Sequence, residues 1–169
     1  WEVDFYEDVD TFSGDDITSG VGNLYGITVN RGSINTDNGN DSITGHGRYG
    51  IELYRSSINT GSGGDTITGY GKYTGLEVSY NSTIDTGNGN DTITGYGKFG
   101  ISLDKNSTIN TGDGKDVVDV IEASDLGFDN DGTIHLGAGN DILKGFGFGK
   151  FYGGTGKDKI LLGKGKYQI

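Results

Sequence analysis

Apolar residues return along this 169-residue chain at one nearly constant interval. Five similar segments each open on an isoleucine, and successive isoleucines are separated by 24, 26, 25 and 25 residues: Ile34, Ile58, Ile84, Ile109 and Ile134. A fixed period of this size is typical of a solenoid, in which each coil buries its apolar side only against the coils beside it. The chain is therefore expected to form stacked coils of about 25 residues.

Each coil has room for three short strands. The first strand centres on the isoleucines above, and the second centres on Ile43, Ile67, Ile93, Val118 and Leu143. The third holds the pairs Ile51/Leu53, Leu76/Val78, Ile101/Leu103 and Leu126/Phe128. Polar residues flank these positions, as in strands with one buried and one wet face. The pattern predicts an all-β, right-handed parallel β-solenoid, because a set of β-hairpins would not repeat its turns at one fixed offset.

The whole chain, 1–169, is predicted to be a single solenoid domain. Residues 1–12 alternate between apolar and acidic residues and are expected to cap the first coil, with Trp1, Phe5, Tyr6 and Phe12 covering its open end. Residues 13–143 contain the long coils. Residues 144–169 repeat at a shorter interval and are expected to form a narrower, β-roll-like end. Since the pattern starts and stops abruptly, we expect the chain to be a fragment of a larger polypeptide.

Composition and charge exclude several classes of function. Cysteine is absent, which excludes disulfide bonds, thiol catalysis and zinc sites built on cysteine. The net charge of −11 argues against nucleic acid as a partner. Residues 1–142 contain 23 acidic and 7 basic residues, whereas residues 143–169 contain 1 and 6. No apolar run is long enough to span a membrane.

The most regular part of each coil is a G-x-G-x-D turn, as in Ser82–Gly97 (STIDTGNGNDTITGYG). Glycine suits such tight turns because it adopts positive φ without penalty. The aspartates that close the turns, with one earlier and one later match, are Asp15, Asp41, Asp65, Asp91, Asp116, Asp141 and Asp158. Stacked coils would place these carboxylates in one column. Two carboxylates about 5 Å apart repel each other by about 3 kcal/mol at an effective dielectric constant of 20.

Carboxylates together with exposed glycine carbonyls form an oxygen-only ligand set of the kind that Ca²⁺ prefers. The sequence therefore predicts several calcium ions along this edge. The alternative is that each aspartate only closes its turn by hydrogen bonding to the backbone.

The turns GNGND, GAGND and GGTGKD resemble the RTX (hemolysin-type) calcium-binding repeats, whose pattern is G-G-x-G-x-D-x-U-x. The resemblance extends over 13–163 and is closest at Gly153–Ile160. It implies that the seven aspartates bind calcium through their side chains. It also implies that backbone carbonyls contribute, at Gly39, Gly63, Gly89, Gly114, Gly139 and Gly156.

This sequence departs from the family's nonapeptide repeat, because its coils are longer and carry only one complete G-x-G-x-D. A second G-x-G occurs in most coils, for example at Gly69–Gly71, but an aromatic residue or glycine stands where the aspartate would be. This second edge is predicted to bind no calcium. Aromatic residues line up there in two columns: His46, Tyr70, Tyr96 and Phe146, and Tyr49, Tyr73 and Phe99. Such columns either shield a corner of the coil or bind sugar rings by their faces.

These features favour a calcium-binding structural or adhesive module of a secreted or cell-surface bacterial protein, stiffened by Ca²⁺. The alternative is a carbohydrate-binding or carbohydrate-active β-helix, whose partner would be a polysaccharide or cell-surface glycan. No catalytic residue can be assigned, because the carboxylates are near-identical by repetition whereas acid/base catalysis needs unlike environments. The only segment that breaks the symmetry is 119–131, which contains Asp119, Glu122 and Asp125.

Overall fold

A computed structural model describes residues 3–5, 8–11, 13–121 and 123–169. The elements in these ranges are all β-strands, and the strands of successive coils pair in parallel. The prediction of a parallel β-solenoid is therefore confirmed. Within the described ranges, no helix has the length and apolar character needed to cross a membrane.

The first predicted strand is present in six coils. Its members pair in register, so that Ile34, Ile58 and Ile84 lie one above another, followed by Ile109 and Ile134. The strands are Val9–Asp10, Ser33–Asn35, Ser57–Asn59, Thr83–Asp85, Thr108–Asn110 and Thr133–His135.

The second and third predicted strands are also present, and in two coils they form one continuous strand that bends at the second G-x-G. These two are Ser42–Tyr54 and Thr66–Ser79. Elsewhere the second strand is Ile17–Val21, Thr92–Tyr96 and Val117–Ile121. The third strand is Val3–Phe5, Tyr25–Asn30, Phe99–Leu103 and Leu126–Asn130.

The core consists of aliphatic columns that run along the solenoid axis. Each predicted inward position from Ile34 to Leu143 is buried except Leu126, which is partly exposed. A fully buried aliphatic side chain contributes about 1.5–3 kcal/mol relative to an exposed one. Because every coil supplies the same positions, the coils hold one another in a single register.

Both ends of the described chain continue this stacking. Near the amino terminus, Val3–Phe5 pairs with Ile27–Val29 and Val9–Asp10 pairs with Ile34–Asn35, so the backbone already follows the coil path. The predicted capping role of Trp1, Phe5, Tyr6 and Phe12 depends on side chains outside the described part of the structure.

The carboxyl-terminal coil is shorter than the others. One strand, Ile142–Tyr152, pairs successively with the second, third and first strands of the preceding coil, and 17 residues separate Asp141 from Asp158. The last strand, Lys159–Gln168, then pairs with Ile142–Tyr152. The solenoid is thus narrower at this end.

Candidate functional site

The G-x-G-x-D turns stack along one edge of the solenoid and hydrogen-bond to one another. Two-residue strands at Asn88–Gly89, Asp113–Gly114, Ala138–Gly139 and Thr155–Gly156 form a separate parallel sheet. Bridges from Asn38 to Ser62 and from Ser62 to Asn88 extend this stacking into the earlier coils. The turns therefore form a continuous column, as predicted, and they are joined by main-chain contacts.

Glycine is required in this column because the turns approach so closely. Gly87 has a φ of 80°, and a Cβ atom there would lie 1.9 Å from the carbonyl oxygen of Gly61. The same carbonyl accepts the N–H of Asn88 at 2.9 Å. A side chain at Gly87 would therefore break both the turn geometry and the coil-to-coil contact.

One hydrogen bond repeats six times along this edge. In each case the main-chain N–H of an aspartate donates to Oδ1 of the aspartate in the next coil, over 2.8–3.0 Å. We call these residues the aspartate column: Asp16, Asp41, Asp65, Asp91, Asp116, Asp141 and Asp158. These six hydrogen bonds join the turns of successive coils, in addition to the main-chain contacts between the turns.

The predicted first member of the column is wrong by one residue. Asp16 occupies the position, since its N–H bonds to Asp41, whereas the exposed Asp15 accepts the N–H of Asn40 at 2.7 Å. Gly20 consequently stacks on Gly45. A Cβ atom at Gly20 would lie 2.0 Å from a carbonyl oxygen. The need for glycine at this position sets the register in which Ile17–Val21 pairs with the next coil. This register leaves Ile17 outside the core and 82% exposed.

The second carboxylate oxygen of the column is buried without a partner. Among the described residues, the Oδ2 atoms of six members have no hydrogen-bond partner: Asp16, Asp41, Asp65, Asp91, Asp116 and Asp141. The last five of these side chains are only 0–2% exposed. A buried polar atom without a partner is costly, and a buried charge more so. The column therefore contains a row of unsatisfied hard oxygen atoms.

Burial changes the acidity of the column. It raises the pKa of Asp91 from 3.8 to about 6, and the neighbouring carboxylates of Asp116 and Asp65 add to the rise. Burial also raises the pKa of Asp65, Asp116 and Asp141 above the ordinary value. The hydrogen bond from the preceding aspartate lowers each of these pKa values, but less than burial raises it. A column of fully charged carboxylates is thus unfavourable unless a cation or proton compensates it.

A column of buried threonines lies beside the aspartates. The hydroxyls of Thr36, Thr60, Thr86 and Thr111 each donate to a carbonyl in the next coil, at 2.7–3.4 Å. The hydroxyls of the last three also lower the pKa of Asp65, Asp91 and Asp116 respectively. Because these protons are used on carbonyls, the hydroxyls satisfy the carboxylates only in part. Sequence reasoning missed this column, although threonine recurs two residues after the first isoleucine in four coils.

The six glycines predicted to supply carbonyl ligands also stack in one column. A Cβ atom at Gly63, Gly89, Gly114, Gly139 or Gly156 would lie 1.4–1.5 Å from the carbonyl oxygen of the matching glycine one coil earlier. These carbonyls therefore point along the column towards the next coil. The carbonyl of Gly139 also accepts the N–H of Lys157 at 3.2 Å.

The donor chemistry of this edge fits Ca²⁺, since it combines carboxylate, hydroxyl and carbonyl oxygens without nitrogen or sulfur. The aspartates approach one another only along the column. Among the described residues, no three Asp, Glu, His or Cys side chains form a group that could hold a metal ion. Neutral oxygens would therefore have to complete each site.

Within the described residues, the asymmetric segment 119–131 does not assemble a second cluster of carboxylates. Asp119 pairs with Lys144 at 3.2 Å, and Asp125 pairs with Lys98 at 2.8 Å. Asp119 and Asp125 thus each have a lysine partner, and Glu122 lies outside the described residues.

Comparison of the chain with protein-family models, curated proteins and solved structures found no match. The resemblance to RTX repeats therefore remains a prediction from the turn sequences.

Proposed function

We propose that this chain is a calcium-stabilised structural or adhesive module, in which the aspartate column holds several Ca²⁺ ions. The observation that supports this proposal is the row of six buried Oδ2 atoms without hydrogen-bond partners. Each is a hard anionic oxygen, the ligand type that Ca²⁺ prefers.

A bound cation would offset two energetic costs of the aspartate column. Two carboxylates at the strand spacing repel by about 3 kcal/mol at an effective dielectric constant of 20, and burial adds a desolvation cost. A bound divalent cation removes both penalties. Since the column exists only when the coils are stacked, any ion that binds it stabilises the folded solenoid over the unfolded chain.

This function suits a secreted or cell-surface protein. Extracellular calcium is abundant enough to fill weak sites, whereas cytosolic calcium is not. A solenoid stiffened by an abundant external ion would act as a spacer or adhesive rod. The proposal assigns no catalytic step to the chain.

The test is a calcium titration after treatment with a chelator, followed by calorimetry and thermal unfolding, with magnesium as the control ion. Asp91→Asn and Asp116→Asn together keep the Oδ1 acceptors for Asp65 and Asp91 but remove two charges. We expect this double variant to lose most of the calcium-dependent gain in Tm.

Asp85→Asn is the matched control, because Asp85 lies on the outward side of its strand and stacks between Asn59 and Asn110. It should retain the calcium response of the parent chain. Equal melting temperatures with calcium and with chelator, together with no binding at millimolar calcium, would refute the proposal.

A further inference from the structure

We propose that the second edge of the solenoid, at the bend between the second and third strands, binds a linear acidic polysaccharide. The proposal is independent of calcium binding, because this edge lies at the other end of the second strand from the aspartate column. Thr92–Tyr96 separates Asp91 from the bend, which corresponds to about 17 Å.

A groove of about 810 Å³ follows this edge across four coils. Its lining includes Asn23, His46, Arg48, Lys72, Tyr73 and Lys98, and no acidic residue contributes to it among the described residues. A second depression of about 440 Å³, between Tyr70 and Tyr96, shares Lys72 with the first. A continuous, cationic path thus runs along the axis of a chain whose net charge is −11.

The cations of the groove form a row, with one member in each of three successive coils. Arg48, Lys72 and Lys98 are exposed. Arg48 and Lys98 each lie 5.7 Å from the ring centre of Tyr73, one on each side along the axis. Lys98 is paired with Asp125, whereas Arg48 and Lys72 form no ion pair within the described ranges. Arg48 and Lys72, which lie in adjacent coils about 5 Å apart along the axis, are therefore available to a ligand.

The aromatic column beside this row decides which ligand fits. The ring centres of His46 and Tyr70 are 4.3 Å apart, and those of Tyr70 and Tyr96 are 4.5 Å apart, with planes within 16° of parallel. Both faces of Tyr70 are therefore covered by its neighbours. Neither a sugar ring nor a nucleic-acid base can therefore stack on Tyr70. The edges of these rings, with their hydroxyl and imidazole N–H groups, face the solvent.

A row of cations beside a row of hydroxyl groups is complementary to a polymer that repeats a carboxylate and hydroxyl groups along its length. A polyuronate has one carboxylate and several hydroxyls on every sugar ring. Charged hydrogen bonds from Arg48 and Lys72 would bind the carboxylates, and the tyrosine hydroxyls would bind the sugar hydroxyls. The four coils of the groove cover about 15 Å, which is the length of a few sugar rings.

An irregularity of the fold lies at the same place. The coil that contains Tyr73 has 26 residues between its aspartates, and the register shifts between Gly47 and Tyr49 where this coil pairs with its neighbour. The bulge places Tyr73 between Arg48 and Lys98 and leaves it 38% exposed. Bulges are frequent beside functional sites, where they redirect a side chain.

The test is a calorimetric titration with a hexamer of galacturonate in calcium-containing buffer, so that the fold does not vary. The fully methyl-esterified hexamer keeps the rings and lacks the charges. Arg48→Gln with Lys72→Gln is expected to weaken binding of the acidic hexamer at least about tenfold. Asp125→Asn should strengthen it, because Lys98 loses its partner. The esterified hexamer should not bind measurably.

The matched control is Lys115→Gln with Lys157→Gln, which removes the same charge from exposed positions on the edge of the aspartate column. It should bind like the parent chain. Equal loss in both double variants would show a general charge effect, and an unchanged affinity in the groove variant would indicate calcium bridging to the aspartates. Tighter binding of oligo(dT) than of the hexamer would favour nucleic acid. Each of these three results would overturn the proposal.

Discussion

The main-chain N–H of Asp65 donates a hydrogen bond to Oδ1 of Asp91, 26 residues later, over 2.8 Å. This contact uses one carboxylate oxygen for coil stacking and leaves Oδ2 of Asp91 buried without a partner. One oxygen of this side chain therefore stabilises the stacking of the coils, and the burial of the other destabilises the folded state. Changes in pH, metal content and single side chains are expected to separate these two roles.

Without metal, the protein is expected to become less stable as the pH rises from about 4 to about 6.5. Burial raises the folded-state pKa of Asp91 from 3.8 to about 6, so folding favours its protonated form. That stability is complete below the unfolded-state pKa and is lost as the pH passes the folded-state pKa. A shift of this size corresponds to about 3 kcal/mol. Urea unfolding in chelator at pH 5 and pH 7.5 measures about half of this loss, because the carboxyl of the unfolded chain is already mostly ionised at pH 5.

Asp91→Asn is the control for this pH dependence, since the amide has no charge to lose. Its stability should change less between pH 5 and pH 7.5 than that of the parent chain. A metal-free parent protein that gains stability as the pH rises would contradict the burial argument.

Calcium binding near pH 6 is expected to release protons. The raised pKa of Asp91 leaves its carboxyl partly protonated at this pH, and a metal ion binds the deprotonated form. Fewer protons should be released at pH 7.5, where the group is already ionised. Calorimetric titrations in buffers of different ionisation enthalpy measure the number released. An apparent enthalpy that is the same in every buffer at pH 6 would argue against the aspartates as ligands.

Thr86→Val is expected to destabilise the protein by about 1 kcal/mol, and by more at pH 7.5 than at pH 5. The hydroxyl of Thr86 donates to the Thr111 carbonyl at 3.1 Å and also lowers the pKa of Asp91. The second effect matters only when Asp91 is charged. Urea unfolding at both pH values measures the difference. Thr92→Val, at a half-buried outward position, should be close to neutral, and a pH-independent loss for Thr86→Val would rule out its effect on Asp91.

Gly87→Ala is expected to cost at least about 2 kcal/mol, because it adds left-handed backbone strain to a direct clash. The new Cβ atom would lie 1.9 Å from the carbonyl oxygen of Gly61. Gly64→Ala is the control variant on the same edge of the solenoid. Gly64 has no positive φ, and a Cβ atom there would lie 3.2 Å from its nearest neighbour, the side-chain oxygen of Asn40. Thermal unfolding should separate the two variants clearly. Similar melting temperatures would mean that the turns can separate at little cost.

The sequence predicted most of the fold because a solenoid uses only local repetition. Once Ile34, Ile58 and Ile84 recur at one interval, stacking them is the only arrangement that buries all of them. The strand positions, the turn column and the stack of His46, Tyr70 and Tyr96 followed from that one rule. The rest of the two predicted aromatic columns did not, because Tyr49 pairs with Thr74 and Tyr96 pairs with Ile121. The prediction of Asp15 as the first column member was wrong because two adjacent aspartates, Asp15 and Asp16, allow two registers. The close contact at Gly20 decided between these registers.

The amino-acid sequence by itself determined the period, the inward residues and the line of carboxylates along one edge. Only the tertiary structure decided what each carboxylate oxygen contacts, because the partner lies one coil away. The N–H of Asp65 bonds to Oδ1 of Asp91, whereas Oδ2 has no hydrogen-bond partner among the described residues. It likewise decided that the faces of Tyr70 are covered while Lys72 is open to solvent. Periodicity fixes which residues stack, whereas contacts between stacked side chains depend on distances that no linear pattern contains.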